Sequence, residues 1–564
     1  MPPQSPATPA LAAVDPRSGY CAATNTFHSL RAPVPLPPPD RPLSFPAWAF
    51  FHLPSPLPSH PLLLDAAAGE AAVSFPDFLS RVRAISTALR SHLGVSRGDV
   101  AFVLVPPTLT VPILYYALLA LGAVVSPANP AFTAAEVSSL VALSKPSVAF
   151  AVHGSAAKLP PGLTTVLIDS PKFLSFLQER EPDGGGAAAG AGTDAGIHQS
   201  DPAAILYSSG TTGRAKAVVL THRNLIAASG TPGAATADVL MLAVPLFHIY
   251  GFAFSLRAPL LAQTLVLHTA RRFDAGAALA AVGRFGVTRL AVAPPALLAI
   301  VRAAEEDGAV VARAATLQAV NCGGASIAAE LVRRFLRRFP NACLLQGYGL
   351  TETTGGFCRL VGAEGSARIG SVGRLSWCAE AKIVHPETLL ALPPGVVGEL
   401  WVRGPFVMNA FCCYHLNGYL GDKDSTSAVL DPQGWFRTGD LCYIDKDGFI
   451  FVVDRLKEII KYKGYQVPPA ELEQLLQTHP DIVEAAVVPY PDDQAGELPV
   501  AFIVRRSGSN LDEALIKEFV AKQVVHYKRI HHVFLVDSIP KNAAGKILRK
   551  DLAKFVLQQI RSKL

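Results

Sequence analysis

From about Phe75 onward, short segments rich in Val and Ile alternate with Ala- and Leu-rich segments of helical character. Residues 101–105 (Ala-Phe-Val-Leu-Val), 148–152 and 165–168 are examples of the strand-like segments. Strands of this kind, alternating with helices, are typical of parallel sheets that helices cover on both faces. We therefore predict an α/β fold built on mainly parallel sheets.

Residues 101–125 carry no charge, and such a segment of 25 residues is long enough to cross a bilayer. However, Pro106, Pro107 and Pro112 interrupt it, and proline breaks a continuous helix. We therefore predict a buried strand, a turn and a helix that lead into a second strand, and no transmembrane segment.

The chain has 564 residues, more than one hydrophobic core usually serves, so we expect two or more structural units. Its 50 Lys and Arg and 44 Asp and Glu give a net charge of +6, which is too diffuse to indicate nucleic-acid binding. The eight cysteines form no CxxC pair, which favours a reducing compartment over a disulfide-bonded secreted protein. Residues 1–9 lack the pattern of a secretory signal.

Composition suggests three regions along the chain. Residues 1–45 are proline-rich and are predicted to form an irregular arm on the surface, followed by a large domain over 46–455. A small α+β domain is predicted over 456–564, and the Gly/Ala-rich tract at 184–196 is predicted to be a flexible loop. In the small domain we predict helices at 469–478 and 512–525 and strands at 483–488, 500–504 and 532–536.

Residues 205–220 read Ile-Leu-Tyr-Ser-Ser-Gly-Thr-Thr-Gly-Arg-Ala-Lys-Ala-Val-Val-Leu, a strand, a Ser/Thr/Gly loop and a second strand. Small residues allow backbone N–H groups to face an anion, and a lysine adds a point charge for a phosphate. A Walker loop would open a helix with Gly-Lys-Ser/Thr, which is not the pattern here. The predicted phosphate-binding residues are Ser208, Ser209, Gly210, Thr211, Thr212, Gly213 and Lys216.

This string resembles the signature loop of the adenylate-forming superfamily, which includes acyl-CoA synthetases, firefly-type luciferases and peptide-synthetase adenylation domains. The resemblance runs from about residue 45 to 550. It implies ATP, Mg²⁺ and CoA as reaction partners, and a large N-terminal domain of stacked α/β sheets with a β-barrel-like subdomain. It also implies a small mobile α+β C-terminal domain. Most such loops have Leu-Pro before the lysine and Gly after it, whereas this chain has Arg214-Ala215 and Ala217.

Residues 346–352 (Gln-Gly-Tyr-Gly-Leu-Thr-Glu) resemble the family's second nucleotide motif. Tyr348 has a flat face suited to stacking on adenine. By resemblance, Thr351 bonds the α-phosphate and Glu352 holds Mg²⁺ through one carboxylate, as this cation is usually held in nucleotide enzymes. Gln346 and Gly347 are expected to contact the nucleotide and the acyl group.

Residues 434–440 (Gly-Trp-Phe-Arg-Thr-Gly-Asp) and 453–457 (Val-Asp-Arg-Leu-Lys) complete the nucleotide motifs by resemblance. Asp440 is expected to accept hydrogen bonds from the two ribose hydroxyls, since a carboxylate only accepts. Arg455 is expected to contact ribose or phosphate. Lys457 falls at the family's hinge and near the acyl group.

The last motif, residues 540–549, carries Lys546, which in the family bridges carboxylate and phosphate oxygens while charge builds on phosphorus. In residues 458–471, Lys461 is expected near the acyl-adenylate, and Lys463 and Gly464 along the CoA path. Lysines spaced by one on a strand also fit a plain solvated edge. Arg272 matches a CoA-contacting position.

His248 lies between apolar neighbours in residues 245–250, and by resemblance it lines the acyl pocket and gates the carboxylate. The nearest resemblance is to the plant 4-coumarate–CoA ligase group and its peroxisomal ligase-like relatives. Tyr250, Phe254 and Gly324 are expected to contact the acid. Phe254 stands where a small hydroxyl residue meets the phenol of coumarate, and an apolar wall would leave that phenol unsatisfied at a cost of about 1–3 kcal/mol.

Ser562-Lys563-Leu564 reads as a peroxisomal address, recognised by an import receptor. The sequence therefore predicts an ATP-dependent acid–CoA ligase of peroxisomes that acts through an acyl-adenylate on a fatty, oxylipin or hydroxycinnamic acid.

Three alternatives remain. A luciferase-like oxygenase would share every nucleotide residue. A peptide-synthetase domain would need a following carrier domain, and the sequence continues for only 18 residues after Lys546. A non-catalytic binder would be expected to have lost Lys216, Glu352, Asp440 or Lys546, and all four are present.

Overall fold

The structure is a computed structural model that describes residues 14–67, 72–177, 196–209, 215–230, 238–270, 272–409, 418–463, 465–492, 494–542 and 545–561. Its strands are β1 (Tyr20–Cys21), β2 (Thr26–His28), β3 (Leu63–Asp65), β4 (Ala72–Val73), β5 (Val100–Leu104), β6 (Val124–Pro127), β7 (Val148–Ala151), β8 (Thr165–Leu167), β9 (Pro202–Ser209), β10 (Ala215–Thr221), β11 (Val239–Leu242), β12 (Thr264–Leu267), β13 (Arg289–Val292), β14 (Ala319–Cys322), β15 (Cys343–Leu350), β16 (Gly355–Arg359), β17 (Arg374–Leu375), β18 (Glu380–Val384), β19 (Ala391–Leu392), β20 (Gly398–Arg403), β21 (Phe436–Ile444), β22 (Ile450–Arg455), β23 (Ile460–Tyr462), β24 (Tyr465–Val467), β25 (Ile482–Asp492), β26 (Gly496–Arg505) and β27 (His532–Leu535).

The helices are α1 (Phe45–Phe51), α2 (Phe75–Leu93), α3 (Thr110–Ala120), α4 (Ala134–Ser144), α5 (His153–Ala156), α6 (Pro171–Phe176), α7 (His222–Ser229), α8 (Ile249–Leu260), α9 (Ala275–Phe285), α10 (Pro294–Glu306), α11 (Gly308–Arg313), α12 (Ala329–Arg338), α13 (Gly362–Ser366), α14 (Lys423–Val429), α15 (Pro469–Leu476), α16 (Glu513–Ala521) and α17 (Arg549–Arg561). Short 3₁₀ turns occur at Thr351–Thr353 and His526–Lys528.

Two mainly parallel sheets make up most of the large N-terminal domain. One has six strands in the order β10-β9-β6-β5-β7-β8, and the other has nine in the order β17-β16-β15-β14-β13-β11-β12-β3-β4. The antiparallel pairs lie at the margins, where β10 meets β9, β4 meets β3, and β16 meets β15 and β17. The predicted α/β class is therefore confirmed.

The uncharged segment is a buried β–α–β unit, as predicted. β5 and β6 are parallel neighbours, and α3 connects them. Ten of the eleven residues of α3 are buried, and it packs against α1, α2 and α8. A helix that is apolar all round belongs inside a core, which explains its composition. In the part of the chain that the structure describes, no helix is both long and apolar enough to cross a membrane.

The third sheet stands where a β-barrel-like subdomain was predicted, but it is not a closed barrel. It has seven antiparallel strands, ordered β1-β2-β18-β20-β21-β22 with β19 beside β18, and over the described residues it stays open. The proline-rich arm contributes the first two strands of this sheet. The prediction of an irregular arm is therefore wrong for residues 20–28. Phe27 is fully buried there, and its ring centroid lies 4.9 Å from that of Tyr20 within the arm. The pairing of β2 with β18 holds the arm to the rest of the sheet. Residues 1–13 and 178–195 lie outside the described residues, so the predicted loop at 184–196 is described only at its last position.

The small C-terminal domain contains the fourth sheet, ordered β24-β23-β26-β25, with β27 parallel to β26. Its three strands and two helices predicted from the sequence are all present, with ends displaced by a few residues. β22 of the third sheet ends at Arg455, and β23 begins at Ile460. The six cysteines that the structure describes are free thiols.

A nearly buried ion pair joins α17 to α15. Arg549 donates from Nη1 and Nη2 to the two carboxylate oxygens of Glu473, at 2.6 and 3.0 Å, and from Nε to Glu458 at 2.7 Å. Burial raises the pKa of Glu473 to about 7. The pair therefore depends on Arg549 to keep that carboxylate charged.

Arg549→Met is expected to destabilise the small domain by about 3–5 kcal/mol, because it leaves the Glu473 carboxylate buried without its cation. Hydrogen exchange of the β25 and β26 amides in the full-length protein measures this loss. The control is Lys554→Met, whose partner Asp551 lies 4.0 Å away on the exposed face of α17, and it is expected to change stability by about 0.5 kcal/mol or less. Equal protection in both variants would contradict the structural role given to Arg549.

Candidate active site

The β9–β10 hairpin holds the two ends of the predicted phosphate loop. Ser208 on β9 and Lys216 on β10 are directly opposite each other in antiparallel register. The loop between them falls outside the described residues, so the predictions for Gly210, Thr211, Thr212 and Gly213 stay predictions, and Ser209 is described only in its backbone. The described ends place a hydroxyl and an ammonium group at the mouth of this turn.

Glu352 lies beside these loop ends in the 3₁₀ turn that follows β15, and it is only 8% exposed. Its Oε1 accepts hydrogen bonds from Ser208 Oγ at 3.1 Å and from the Tyr419 hydroxyl at 2.9 Å. Lys216 Nζ lies 4.1 Å from the centre of the Tyr419 ring. Tyr419 therefore links the predicted phosphate lysine to the predicted metal carboxylate.

The turn that presents Glu352 is fixed by its neighbours. Thr354 has a positive φ of 54°, which a β-branched residue rarely adopts, and its Oγ1 donates to the Phe406 carbonyl at 2.6 Å. Met408 N–H donates to the Glu352 carbonyl at 2.8 Å. Thr351, the predicted α-phosphate contact, begins this turn and is buried. The constraint keeps the Glu352 side chain directed toward Ser208.

A second polar cluster surrounds Asp440 on β21, which is 3% exposed. Tyr348 on β15 donates a short hydrogen bond from its hydroxyl to Oδ2, and Arg455 Nε lies 3.3 Å from Oδ1. Burial raises the pKa of Asp440, while the Arg455 guanidinium and the Tyr348 hydrogen bond act in the opposite direction. These three residues, predicted for nucleotide binding, are thus in direct contact.

Lys546 of the small domain lies close to this cluster. The pKa of Lys546 is lowered to about 8, mainly by burial and then by the charge of Arg455, while the carboxylates of Glu458 and Asp440 oppose the shift. Its backbone N–H is held by Asn542 Oδ1 at 2.9 Å, and the preceding Gly545 approaches Pro295 at the start of α10. The final motif therefore bridges the two domains beside the predicted nucleotide position.

A cavity of about 640 Å³ lies next to β15. His248 caps the N-terminus of α8 at its edge, with Nδ1 accepting from the backbone N–H of Tyr250 at 3.3 Å. Burial lowers the pKa of His248, which favours the neutral imidazole. Of the predicted acid- and nucleotide-contacting residues, those lining this cavity are His248, Tyr250, Phe254, Gly324, Gln346, Gly347 and Tyr348.

The wall formed by α8 is apolar and aromatic near its start. The Tyr250 hydroxyl donates to the Asn321 carbonyl at 3.0 Å, so it is already satisfied by the protein. The Phe254 ring packs edge-on against Tyr250, with centroids 5.1 Å apart. Gly251 lets α8 approach its own preceding loop, because an added Cβ would lie 2.2 Å from the Pro245 carbonyl oxygen.

Five described residues that were predicted to contact the acid or CoA do not line this cavity: Thr351, Lys457, Lys461, Lys463 and Arg272. Lys457, Lys461 and Lys463 are exposed, and the described residues show no hydrogen bond or ion pair between them and the cavity wall. Lys461 N–H donates to Glu497 Oε2 at 2.7 Å within the small domain. Arg272 is also exposed and away from the cavity, and Gly464 is outside the described residues. The roles predicted for these residues therefore stay predictions.

Sequence reasoning missed three residues of this region. Tyr419 lies far from the recognised motifs in the sequence, and its β-bridge to Val218 brings it to Glu352. Arg257 on α8 and Arg359 on β16 line the cavity. A lone arginine within the otherwise uncharged α8 is the signal that would have pointed to the cavity.

Two family models match this chain over most of its length. Residues 56–412 match the AMP-binding enzyme family, and residues 471–546 match the AMP-binding enzyme C-terminal domain. The chain is 46% identical to 4-coumarate–CoA ligase-like 5 of Oryza sativa subsp. japonica, covering 98% of each. It is 40% identical to peroxisomal OPC-8:0-CoA ligase 1 of Arabidopsis thaliana, covering 97% of this chain and 99% of that one.

Solved structures share the fold. The ATP-bound MatB of Rhodopseudomonas palustris superposes with a TM-score of 0.79 at 24% identity, covering 91% of this chain and 99% of that one. The complex of Bacillus subtilis o-succinylbenzoate CoA synthetase with its acyl-adenylate gives 0.76 at 23% identity, covering 90% and 97%. With the family matches over most of its length, this chain belongs to the AMP-binding enzyme family, in its 4-coumarate–CoA ligase-like group.

Proposed function

We propose that the protein joins a carboxylic acid to CoA at the expense of ATP, through an acyl-adenylate. This proposal rests on the position of β15, which connects the cavity to the predicted nucleotide residues. One part of the strand lines the acid-sized cavity, Tyr348 on it bonds Asp440, and its end leads into the turn that holds Glu352. A carboxylate in the cavity and a triphosphate along these polar residues would therefore meet at one point.

In the first step, the acid's carboxylate attacks the α-phosphorus of ATP and pyrophosphate leaves. Lys216 and the Ser/Thr turn are assigned to the phosphates, and Asp440 with Arg455 to the ribose. Lys546 neutralises the charge that develops on the phosphoryl oxygens. Positioning and charge stabilisation supply the acceleration, so no protein nucleophile is required.

In the second step, the thiolate of CoA attacks the acyl carbon and AMP leaves. We assign Lys461 to the acyl-adenylate and Lys463, Gly464 and Arg272 to the CoA path, after the small domain turns about Lys457. The exposure of the three lysines supports this assignment, because they are free to be presented to the cavity once Lys546 has withdrawn.

The Glu352 carboxylate fits a magnesium ion. Both hydrogen bonds that it accepts in the described structure fall on Oε1, which leaves Oε2 available to a cation. Mg²⁺ is commonly held by one carboxylate together with substrate phosphates and water. When bound, the ion would neutralise phosphate charge, while Ser208 and Tyr419 orient the carboxylate.

We propose a fatty, oxylipin or hydroxycinnamic acid as substrate and the peroxisome as location. The apolar ring of Phe254 supports the first two acids over the third. The relative named as a peroxisomal OPC-8:0-CoA ligase and the Ser562-Lys563-Leu564 sequence support the location, although these three residues fall outside the described ones.

Lys546→Ala is expected to abolish acyl-adenylate formation and to leave thioester formation from synthetic acyl-AMP largely intact. Pyrophosphate release and acyl-CoA formation measure the two half-reactions separately. Lys550→Ala, on the exposed side of α17, is the matched control and should retain both. Equal loss of both half-reactions in Lys546→Ala would refute the division of labour between the lysines.

The adenylation step is expected to weaken as pH rises through about 8, the pKa to which burial lowers Lys546. Above this pH the side chain loses the positive charge that the transition state requires. The pH profile of kcat/KM for ATP measures the effect, since it reports groups of the free enzyme. Lys546→Arg should shift the falling limb to higher pH, and an unchanged limb would assign it to another group.

Tyr419→Phe is expected to raise KM for Mg·ATP by about ten- to hundredfold, because a hydrogen bond to a charged group contributes about 1.5–3 kcal/mol. The ring, and hence its contact with Lys216, is retained. Initial-rate kinetics at varied Mg²⁺ measure the change. Tyr443→Phe is the control, since that ring stacks on Phe451 in the third sheet, away from Glu352. A normal KM in Tyr419→Phe would remove Tyr419 from the metal environment.

A further inference from the structure

Three guanidinium groups line the cavity: Arg257 on α8, Arg289 on β13 and Arg359 at the end of β16. Among the described lining residues, the only acidic side chain is Asp238. It lies 2.7 Å from Arg289 Nε and so compensates that cation. Among the residues that the structure describes, no carboxylate compensates the other two positive charges in the cavity.

Arg257 and Arg359 make no hydrogen bond or ion pair through their side chains with any described residue. The Nε atoms of both are buried and without a hydrogen-bond partner. Their guanidinium carbons lie 6.0 Å from the Phe254 ring and 5.0 Å from the Trp377 ring, respectively. The segment 231–237, outside the described residues, contains no acidic residue in its sequence.

The two arginines flank one position. A Cβ on Gly230 would lie 3.6 Å from Arg257 Nε and 3.2 Å from the Trp377 ring, over which Arg359 stacks. The pKa of Arg257 is lowered to about 10 and that of Arg359 to about 9, mainly by burial and in smaller part by neighbouring guanidinium groups. Both side chains are nevertheless cationic at pH 7.

An uncompensated buried charge lowers stability, so packing does not account for this pair. A ligand that brings oxygen acceptors to the pair would remove the cost. Guanidinium groups offer several N–H donors in a planar fork, which suits a carboxylate and also suits a carbonyl oxygen.

The pair lies at the opposite end of the cavity wall from His248. Arg257 is nine residues beyond His248 along α8, a rise of about 13 Å at 1.5 Å per residue. The wall between them carries apolar side chains, including Ile249, Ala253 and Phe254. An acid whose reacting carboxylate meets His248 would therefore extend its far end toward Arg257.

We propose that the acyl substrate carries an oxygen acceptor, a second carboxylate or a carbonyl group, at the end remote from the reacting carboxylate, and that Arg257 and Arg359 bind it. This inference rests on the proposed ligase function and names its substrate class: medium-length aliphatic acids oxygenated at the far end.

The test compares decanoic acid with decanedioic acid and 9-oxodecanoic acid, with octanoic and dodecanoic sets to cover chain length. Acyl-CoA formation with ATP and CoA gives kcat/KM for each acid. We expect one of the oxygenated acids to exceed the plain acid of equal length by about tenfold or more. The dioic and oxo acids distinguish an anionic from a carbonyl acceptor.

Arg257→Met and Arg359→Met should each reduce this preference, and mainly through KM for the oxygenated acid, while activity with the plain acid is retained or increased. The control is Arg284→Met, an exposed arginine stacked at 4.8 Å on Phe285 outside the cavity, which should keep the preference. Calorimetric binding of the same acids gives the preference without turnover.

The possible results distinguish failure of the acceptor proposal from failure of the arginine assignment and of the ligase function. If plain acids react or bind at least as well as the oxygenated ones at every length, the acceptor proposal is wrong while the ligase function stands. If the oxygenated acids are preferred but both arginine variants keep the preference, the assignment to this pair is overturned. If no acid yields acyl-CoA, the ligase function fails, and the calorimetric preference still decides whether the pair binds an acceptor.

Discussion

The buried carboxylate of Asp440 is the contact on which the arrangement of the site depends. A carboxylate that is 3% exposed is tolerated only when its oxygens are satisfied, and Tyr348 and Arg455 each take one of them. Tyr348 belongs to the nine-stranded sheet, whereas Asp440 and Arg455 belong to the seven-stranded sheet. The contact therefore fixes the cavity wall relative to the strand from which the chain enters the small domain.

The sequence was most informative where structure is local. Strand and helix positions followed from apolar patterning, and the motif residues around Glu352 and Asp440 could be assigned by resemblance. The strands at residues 20–28 were missed because they are only two and three residues long, and their pairing with β18 is far away in sequence. Tyr419 was missed for a similar reason, since its contact with Glu352 spans 67 positions.

The sequence could not predict the positions of residues that depend on how the two domains meet. Lys546 lies beside Asp440 here, while Lys461 is exposed, although both were assigned to the same reaction. Burial disfavours the ammonium of Lys546, as its lowered pKa indicates. Withdrawal into water would relieve that cost. In the proposed mechanism, less negative charge would hold the lysine in place once pyrophosphate has left. The same burial that lowers its pKa would then favour its departure before the second step.

The two cationic regions of the site also bear on how an acid is oriented. The charges of Arg455 and Lys546 face carboxylates of the protein, whereas Arg257 and Arg359 face none among the described residues. An acid with a single carboxylate would find its most favourable electrostatic partner at the remote end, with its alkyl chain directed toward ATP, and such binding is unproductive. A molecule with acceptors at both ends satisfies the remote arginines and still presents a carboxylate beside His248. If the arginine pair binds an acceptor as proposed, it narrows the proposed substrates to oxygenated acids, because it would misdirect simple fatty acids, which a purely apolar pocket of the same volume would not do.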